Sequence, residues 1–184
     1  MRVVAGYLKG RKLLMDGRLA IRPTSDMARE ALFSSLGERI IGASFLDVFS
    51  GTGAVSIEAV SRGATRVVAI ECSRKVAELI RSNMVTCEIP TSALQVFIED
   101  YSRALALLKG QKFDIIFSDP PYNQGLTVRA MELIDKYELL APGGVLACEH
   151  FIKEVLPEKV GSMILIKERR YGQTRISYFG VRSD

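Results

Sequence analysis

From Ser44 onward the chain alternates short β-branched and aromatic runs with amphipathic stretches of helical spacing, and this alternation leaves few folds open. Strands that return through helices run parallel, and a parallel sheet needs helices on both faces. The pattern predicts strands over 45–49, 66–71, 94–98, 113–118, 145–149, 163–167 and 174–181, with helices over 54–62, 73–86, 102–108 and 126–140 and a weak one over 152–157. In the helix from Leu126, Val128, Met131, Leu133, Ile134, Tyr137 and Leu140 recur on one buried face, so Met131 is read as packing. The last two strands are separated by residues 168–173, too few for a helical crossover, so they pair as an antiparallel hairpin. The expected architecture is α/β: a seven-stranded, mostly parallel sheet with one antiparallel strand. At 184 residues the chain fits one domain, 1–184, in which 1–40 form a hairpin-plus-helix extension. Its hairpin is placed over 2–14. Arg22-Pro23-Thr24-Ser25-Asp26 then leads into a helix through Leu36, capped by Thr24 or Ser25, with Asp26 and Glu30 near its positive end.

Composition narrows the partners. A net charge of +4 favours an anionic one, nucleic acid ahead of membrane. No apolar run approaches membrane-spanning length, and Lys9, Arg11 and Lys12 interrupt the start before a signal-type segment develops. Cys72, Cys87 and Cys148 form no Cys-x-x-Cys pair and are read as reduced core thiols. A cytoplasmic protein that needs no metal is the expectation.

The first strand runs into Asp47-Val48-Phe49-Ser50-Gly51-Thr52-Gly53-Ala54 and then a helix, an arrangement whose glycines let backbone approach a ligand. The dinucleotide fingerprint would need glycine where Ser56 stands, so a pyrophosphate site is incomplete. Glu71 ends the next strand roughly twenty residues on, where an acid accepts both hydroxyls of a ribose. Asp100 follows the third strand. Acids at the carboxyl ends of three successive strands suit a cationic, adenosine-containing ligand, and S-adenosylmethionine is the natural candidate. Asp47 is assigned to its amino acid end, Glu71 to the ribose and Asp100 to the adenine amine. Phe49, Gly51, Gly53, Cys72 and Tyr101 complete the expected cofactor set.

Where the apolar run 113–118 stops stands Asp119-Pro120-Pro121-Tyr122. An acid, a stiffened backbone carbonyl and a flat ring in one small volume can grip the exocyclic amine of a base. Such an amine is a poor nucleophile, its lone pair being delocalised into the ring. Asp119 accepting one amine hydrogen and the Pro120 carbonyl the other would aim that lone pair at a methyl donor, with Tyr122 stacked on the base. His150 follows Glu149 at a strand end, where a structural role is favoured.

With these residues assembled, the chain resembles the bacterial 16S ribosomal RNA guanine-N2 methyltransferases of the RsmD type, nearly end to end. The resemblance is carried by Arg2 with Gly6 and Gly10-Arg11-Lys12-Leu13, by Arg22-Pro23-Thr24-Ser25-Asp26 with Arg29-Glu30, by Leu46 to Gly53, by Glu58-Ala59 with Ser61-Arg62-Gly63-Ala64, and by Asp119 to Tyr122. It implies a Rossmann-like class I methyltransferase fold and S-adenosylmethionine-dependent methylation of one guanine amine on the small ribosomal subunit or an assembly intermediate. The family's cofactor role falls on Asp47, Gly51, Gly53, Glu71 and Asp100, and its catalytic role on Asp119, Pro120, Pro121 and Tyr122. The tail and the Glu149-His150 pair depart from the family pattern.

An RNA partner has separate support in the basic positions. If the sixth strand runs parallel, the turn bearing Lys167, Arg169, Arg170 and Arg175 emerges on the same edge as Asp119. Arg2, Lys9, Arg11, Lys12, Arg18 and Arg22 make the extension a second candidate clamp for backbone phosphates, and Tyr7 and Tyr171 either stack on bases or pack. Competing readings are an adenine-N6 DNA methyltransferase, a protein glutamine methyltransferase, a non-enzymatic RNA-binding ribosome assembly factor and a nicotinamide dehydrogenase. A monomer acting without membrane contact is expected.

Overall fold

The computed structural model describes residues 1–16, 26–121 and 124–181. Expectations placed on Arg18, Arg22, Thr24, Ser25 and Tyr122 lie outside the described residues. Eight strands form one sheet: β1 (Ser44–Asp47), β2 (Arg66–Ile70), β3 (Leu94–Phe97), β4 (Phe113–Ser118), β5 (Leu140–Phe151), β6 (Lys159–Val160), β7 (Met163–Tyr171) and β8 (Thr174–Val181). Their order is β3-β2-β1-β4-β5-β8-β7-β6, with β1 to β5 parallel and β8 antiparallel to both of its neighbours. Inserting β8 between β5 and β7 leaves β7 running in the direction of β5, so the β7–β8 turn emerges at the carboxyl edge, as expected.

Helices α1 (Asp26–Leu36), α2 (Ala54–Ser61) and α3 (Arg74–Thr86) cover one face, and α4 (Tyr101–Leu107) and α5 (Leu126–Lys136) the other. Strand residues alternate between the two cores: Phe45, Val67 and Phe117 pack with the first group, Leu46, Val68 and Ile116 with the second. Both sides of the central strands are thus dry, which is why their sequences read as unbroken apolar runs.

Three boundaries differ from the sequence pattern. The helix from Leu126 stops at Lys136 because Glu138 adopts a left-handed conformation, φ 52°, and closes a Schellman motif. Its N–H donates to the Asp135 carbonyl and that of Leu139 to the Ile134 carbonyl. Glutamate carries no signature of that ending, and α3 stops the same way on Glu88, φ 57°. Leu140 is then released to open β5 five residues ahead of the expected strand. Residues 152–157 form no helix: six residues ending in proline, with Leu156 alone buried, do not repay nucleation. Beyond them the two-residue β6 adds an eighth strand to the seven expected.

Over 2–14 the chain folds back on itself with one antiparallel bridge, Arg2 to Lys12, and backbone hydrogen bonds from Val3 to Arg11, Gly10 to Val3 and Leu13 to Met1, short of a regular two-stranded hairpin. What holds it is α2. The buried Glu58 carboxylate accepts the Val4 and Ala5 N–H groups at 2.8 Å each, and Ser61 takes the N–H groups of Tyr7 and Leu8 on its carbonyl and hydroxyl. Arg29, fully buried, donates to the Arg2 carbonyl at 2.7 Å and lies 3.5 Å from Glu58. Gly6 is required there: φ is 80°, and a Cβ would sit 1.8 Å from the Ser61 carbonyl oxygen.

Candidate active site at the carboxyl edge of the sheet

Backbone pairing continues past the strand ends and draws their loops together. Val48 donates to Phe117, Ser50 to Ile70 and Glu71 to Phe97, so the residues that follow β1, β2, β3 and β4 share one rim. Asp47 stands at the centre, 1% exposed. Ser56 in the first turns of α2 donates to its Oδ2 at 2.6 Å, while Oδ1 has no hydrogen-bond partner among the described residues. Burial pushes the Asp47 carboxyl up to about 7, and the charges of Asp119 and Glu71 push the same way against the Ser56 hydrogen bond. That Asp119 and Glu71 both act on Asp47 places the acid of the proline motif and the acids of the glycine turn in a single electrostatic cluster.

Glu71 organises the turn. Its Oε2 accepts the Gly51 N–H at 3.1 Å and its Oε1 the Ser73 N–H at 2.7 Å, which joins the loop after β1 to the start of α3. Gly53, φ 75°, caps α2. A Cβ at Gly53 would meet Ile80 of α3 at 2.8 Å, so left-handed backbone and close helix packing both require glycine here. Cys72 is exposed at the rim beside Glu71, a correction to its reading as a core thiol; Cys87 and Cys148 are buried and free. Asp100 caps α4 by accepting the Ser102 N–H at 2.9 Å. The rings of Phe49 and Tyr101 lie 5.0 Å apart between centroids and form an apolar wall next to it. Asp119 is half-buried, Pro120 buried and Pro121 exposed.

This set can hold a cationic nucleoside. A buried carboxylate with an unshared oxygen suits a positive charge, Glu71 suits a diol and the Phe49–Tyr101 wall suits a planar base. Ser56, entered in the sequence reading as a departure from a glycine fingerprint, is the residue that reasoning missed. Its signal is position, one turn into α2 on the side facing the strand that ends in Asp47.

The basic residues divide. Arg169, Arg170 and Arg175 lie on the β7–β8 hairpin, where Phe151 of β5 pairs with Thr174, three residues past the Ser118–Cys148 pair. The leading loop is not brought to this edge. It packs on the C-terminal halves of α2 and α3, and helices that start at the carboxyl edge end at the other one. Arg11 sits there on the Thr86 carbonyl and 3.2 Å from Glu88, while Arg2, Lys9 and Lys12 are exposed. Tyr7 is exposed and Tyr171 packs against the core. His150 is fully buried and its Nε2 lies 2.8 Å from the Ser177 hydroxyl, the structural placement anticipated. A cleft of about 380 Å3 between Lys112, Asp135, Met163 and Val181 opens at the opposite edge, away from these groups. Among the described residues, no helix is long and apolar enough to cross a membrane.

Comparison with known proteins agrees with this fold. The family model described as "Conserved hypothetical protein 95" matches residues 1–180. The chain is 35% identical over 184 residues to YlbH of Bacillus subtilis, covering 99% of this chain and all of that one. It is 31% identical over 173 residues to ribosomal RNA small subunit methyltransferase D of Escherichia coli K12, covering 94% and 86%. Among solved structures, yhhF of Escherichia coli superposes with a TM-score of 0.87 at 29% identity, covering 100% of this chain and 99% of that one.

Proposed function

The chain belongs to the Conserved hypothetical protein 95 family, that of ribosomal RNA small subunit methyltransferase D, and from that premise we propose that it is an S-adenosylmethionine-dependent rRNA methyltransferase acting on the exocyclic N2 amine of a guanine in 16S rRNA. One observation supports the reading: backbone pairing of Val48 with Phe117 and of Ser50 with Ile70 brings the end of the strand that carries the amine-gripping motif onto the same edge as the nucleoside rim.

S-adenosylmethionine supplies, when bound, an activated methyl group on a positively charged sulfur. Asp47 and Glu71 hold its amino acid and ribose ends, the Phe49–Tyr101 wall and Asp100 its adenine, and Gly51, Gly53 and Cys72 the turn around it. The residues of the motif act on the acceptor. Asp119 accepts a hydrogen bond from one hydrogen of the guanine amine and the Pro120 carbonyl from the other, which localises the nitrogen lone pair and orients it; the one proton the amine must lose on methylation passes through the Asp119 carboxylate to solvent, and Pro121 stiffens the carbonyl. Tyr122, assigned from sequence, stacks on the base. Positioning and electrostatics then do most of the catalysis, since displacement at a methyl group asks for alignment rather than an acid or a nucleophilic side chain. Arg169, Arg170 and Arg175 contact backbone phosphates beside the site, and exposed Arg2, Lys9 and Lys12 do so farther along the RNA. The protein works in the cytoplasm as a monomer, as one methyltransferase domain over 1–184, on the 30S subunit or an assembly intermediate.

The test is transfer of labelled methyl to separate pools of DNA, naked rRNA, small subunits and protein, followed by nucleoside digestion and mass spectrometry. N2-methylguanosine from rRNA or small subunits is the expected product. N6-methyladenine from DNA, or no transfer to any pool, rejects the proposal.

A further inference from the structure

A buried chain of hydrogen bonds runs from the middle of the sheet to the basic hairpin, and the catalytic reading does not use it. It begins at His150, on β5 two residues beyond Cys148, the register partner of Ser118 just ahead of Asp119. His150 Nε2 lies 2.8 Å from Ser177 Oγ, and Ser177 Oγ donates to Glu168 Oε1 at 2.7 Å. Glu168 Oε2 in turn accepts from Arg175 Nη1 at 3.2 Å. Serine has one proton, and it goes to the Glu168 carboxylate; His150 stands behind Ser177, with its Nδ1 3.2 Å from the Phe151 carbonyl. His150 and Ser177 are fully buried, whereas the Glu168 and Arg175 side chains are 34% and 30% exposed. The chain therefore anchors its exposed end in the core.

Register puts Arg170 directly opposite Arg175. Side chains alternate faces along a strand, so Glu168, Arg170, Arg175 and Ser177 share one face and Arg169 lies on the other. Two cations directly across a ladder repel, and one carboxylate cannot neutralise both. Arg170 is exposed and spends its Nε on the Gly172 carbonyl at 3.1 Å; among the described residues no hydrogen bond takes its terminal nitrogens. The arrangement has one anion fewer than it has guanidinium groups, at an edge shared with Asp119. A phosphodiester, which matches the planar guanidinium fork, supplies the missing charge.

Resting on the RNA reading above, we propose that His150, Ser177 and Glu168 are positioning residues that hold Arg175 in place, so that Arg175 and Arg170 together clamp one backbone phosphate of the RNA next to the reacting base. Fixing the carboxylate from behind keeps Arg175 ordered before RNA arrives, and ordering a long side chain at the moment of binding is a cost that preorganisation removes.

The relay is tested by a double-mutant cycle read on RNA affinity, by fluorescence anisotropy of a labelled 16S rRNA fragment, so that turnover is not needed. Arg175→Ala is expected to weaken binding roughly tenfold and to lower the slope of affinity against salt by about one. Ser177→Ala should weaken it severalfold in the wild-type background and have no effect in the Arg175→Ala background, and Ser177→Thr, which keeps the hydroxyl, should recover most of the loss. Melting temperature and S-adenosylmethionine affinity check that each variant is folded. Should Ser177→Ala fail to fold, Glu168→Gln completes the same cycle. Equal losses in the two backgrounds, or no loss in either, overturn the relay. Absence of methyl transfer by the unmodified protein overturns the proposed function instead, and the two failures are separable.

Discussion

Asp47→Asn separates the two consequences of burying an acid beneath a ligand site. Desolvation, reinforced by Asp119 and Glu71, raises the carboxyl from 3.8 to about 7 in the folded chain. At ~1.4 kcal/mol per pKa unit, the ionised form costs the fold about 4 kcal/mol. The folded value is the higher one, so the protonated group is fully accommodated below the unfolded value, and stability is lost as pH rises toward and through about 7. Of the total, roughly 2–3 kcal/mol falls between about pH 5 and pH 8. In a chain of 184 residues that lowers the melting temperature by about 5–10 °C. Asparagine keeps the acceptor for Ser56 and never ionises, so the variant should melt above the parent at about pH 8, by a margin that narrows by those degrees at about pH 5 and closes only below the unfolded value of 3.8. Binding a positively charged donor reverses the preference, because the ionised carboxylate is then the favoured form. Parent affinity for S-adenosylmethionine should accordingly improve through about pH 7, while the variant binds at least tenfold more weakly with a flatter pH dependence. Scanning fluorimetry across that window, with calorimetry for the donor, reads both effects. Melting curves that stay parallel, or equal donor affinity at about pH 8, would refute the assignment of Asp47 as a buried anion awaiting a cation.

Asp119→Ala should reduce methyl transfer by on the order of 10²–10³-fold with donor affinity within a few-fold, since the lost oxygen serves the acceptor amine; near-normal turnover would reject its role. Glu138→Gly should stabilise the fold by about 1 kcal/mol in denaturant melts, because glycine adopts φ 52° without the side-chain penalty; an unchanged midpoint would show the strain to be relieved elsewhere. His150 has its pKa lowered, chiefly by burial, so the unfolded chain binds its proton more readily and stability falls as pH drops below 6.5. His150→Gln should show a shallower acid loss of stability than the parent, and an identical slope would refute the burial argument.

The proline motif, the glycine turn and the acids ending the first strands were legible because each is a local pattern at a strand end, and a parallel sheet collects its strand ends on one edge. The hairpin of β7 and β8 was legible for a similar reason: six residues cannot carry a crossover helix. The stop at Glu138 was hidden because a left-handed glutamate looks like any other helix residue. Gly53 was visible, but its reason was not, since the Ile80 side chain it accommodates belongs to another helix.

Chain order alone thus determined the alternating fold, the reversed strand and which groups gather at the carboxyl edge, because hydrophobic period and loop length are properties of neighbouring residues. Tertiary structure decided what those groups experience. The raised Asp47 carboxyl needs Ser56, Glu71 and Asp119, and the anchored Arg175 needs Glu168, Ser177 and His150. The leading loop lies away from the rim because a buried glutamate on α2 holds it there. Electrostatic shifts and buried hydrogen bonds depend on distances between segments far apart in sequence, and those distances exist only after the sheet has closed its two cores.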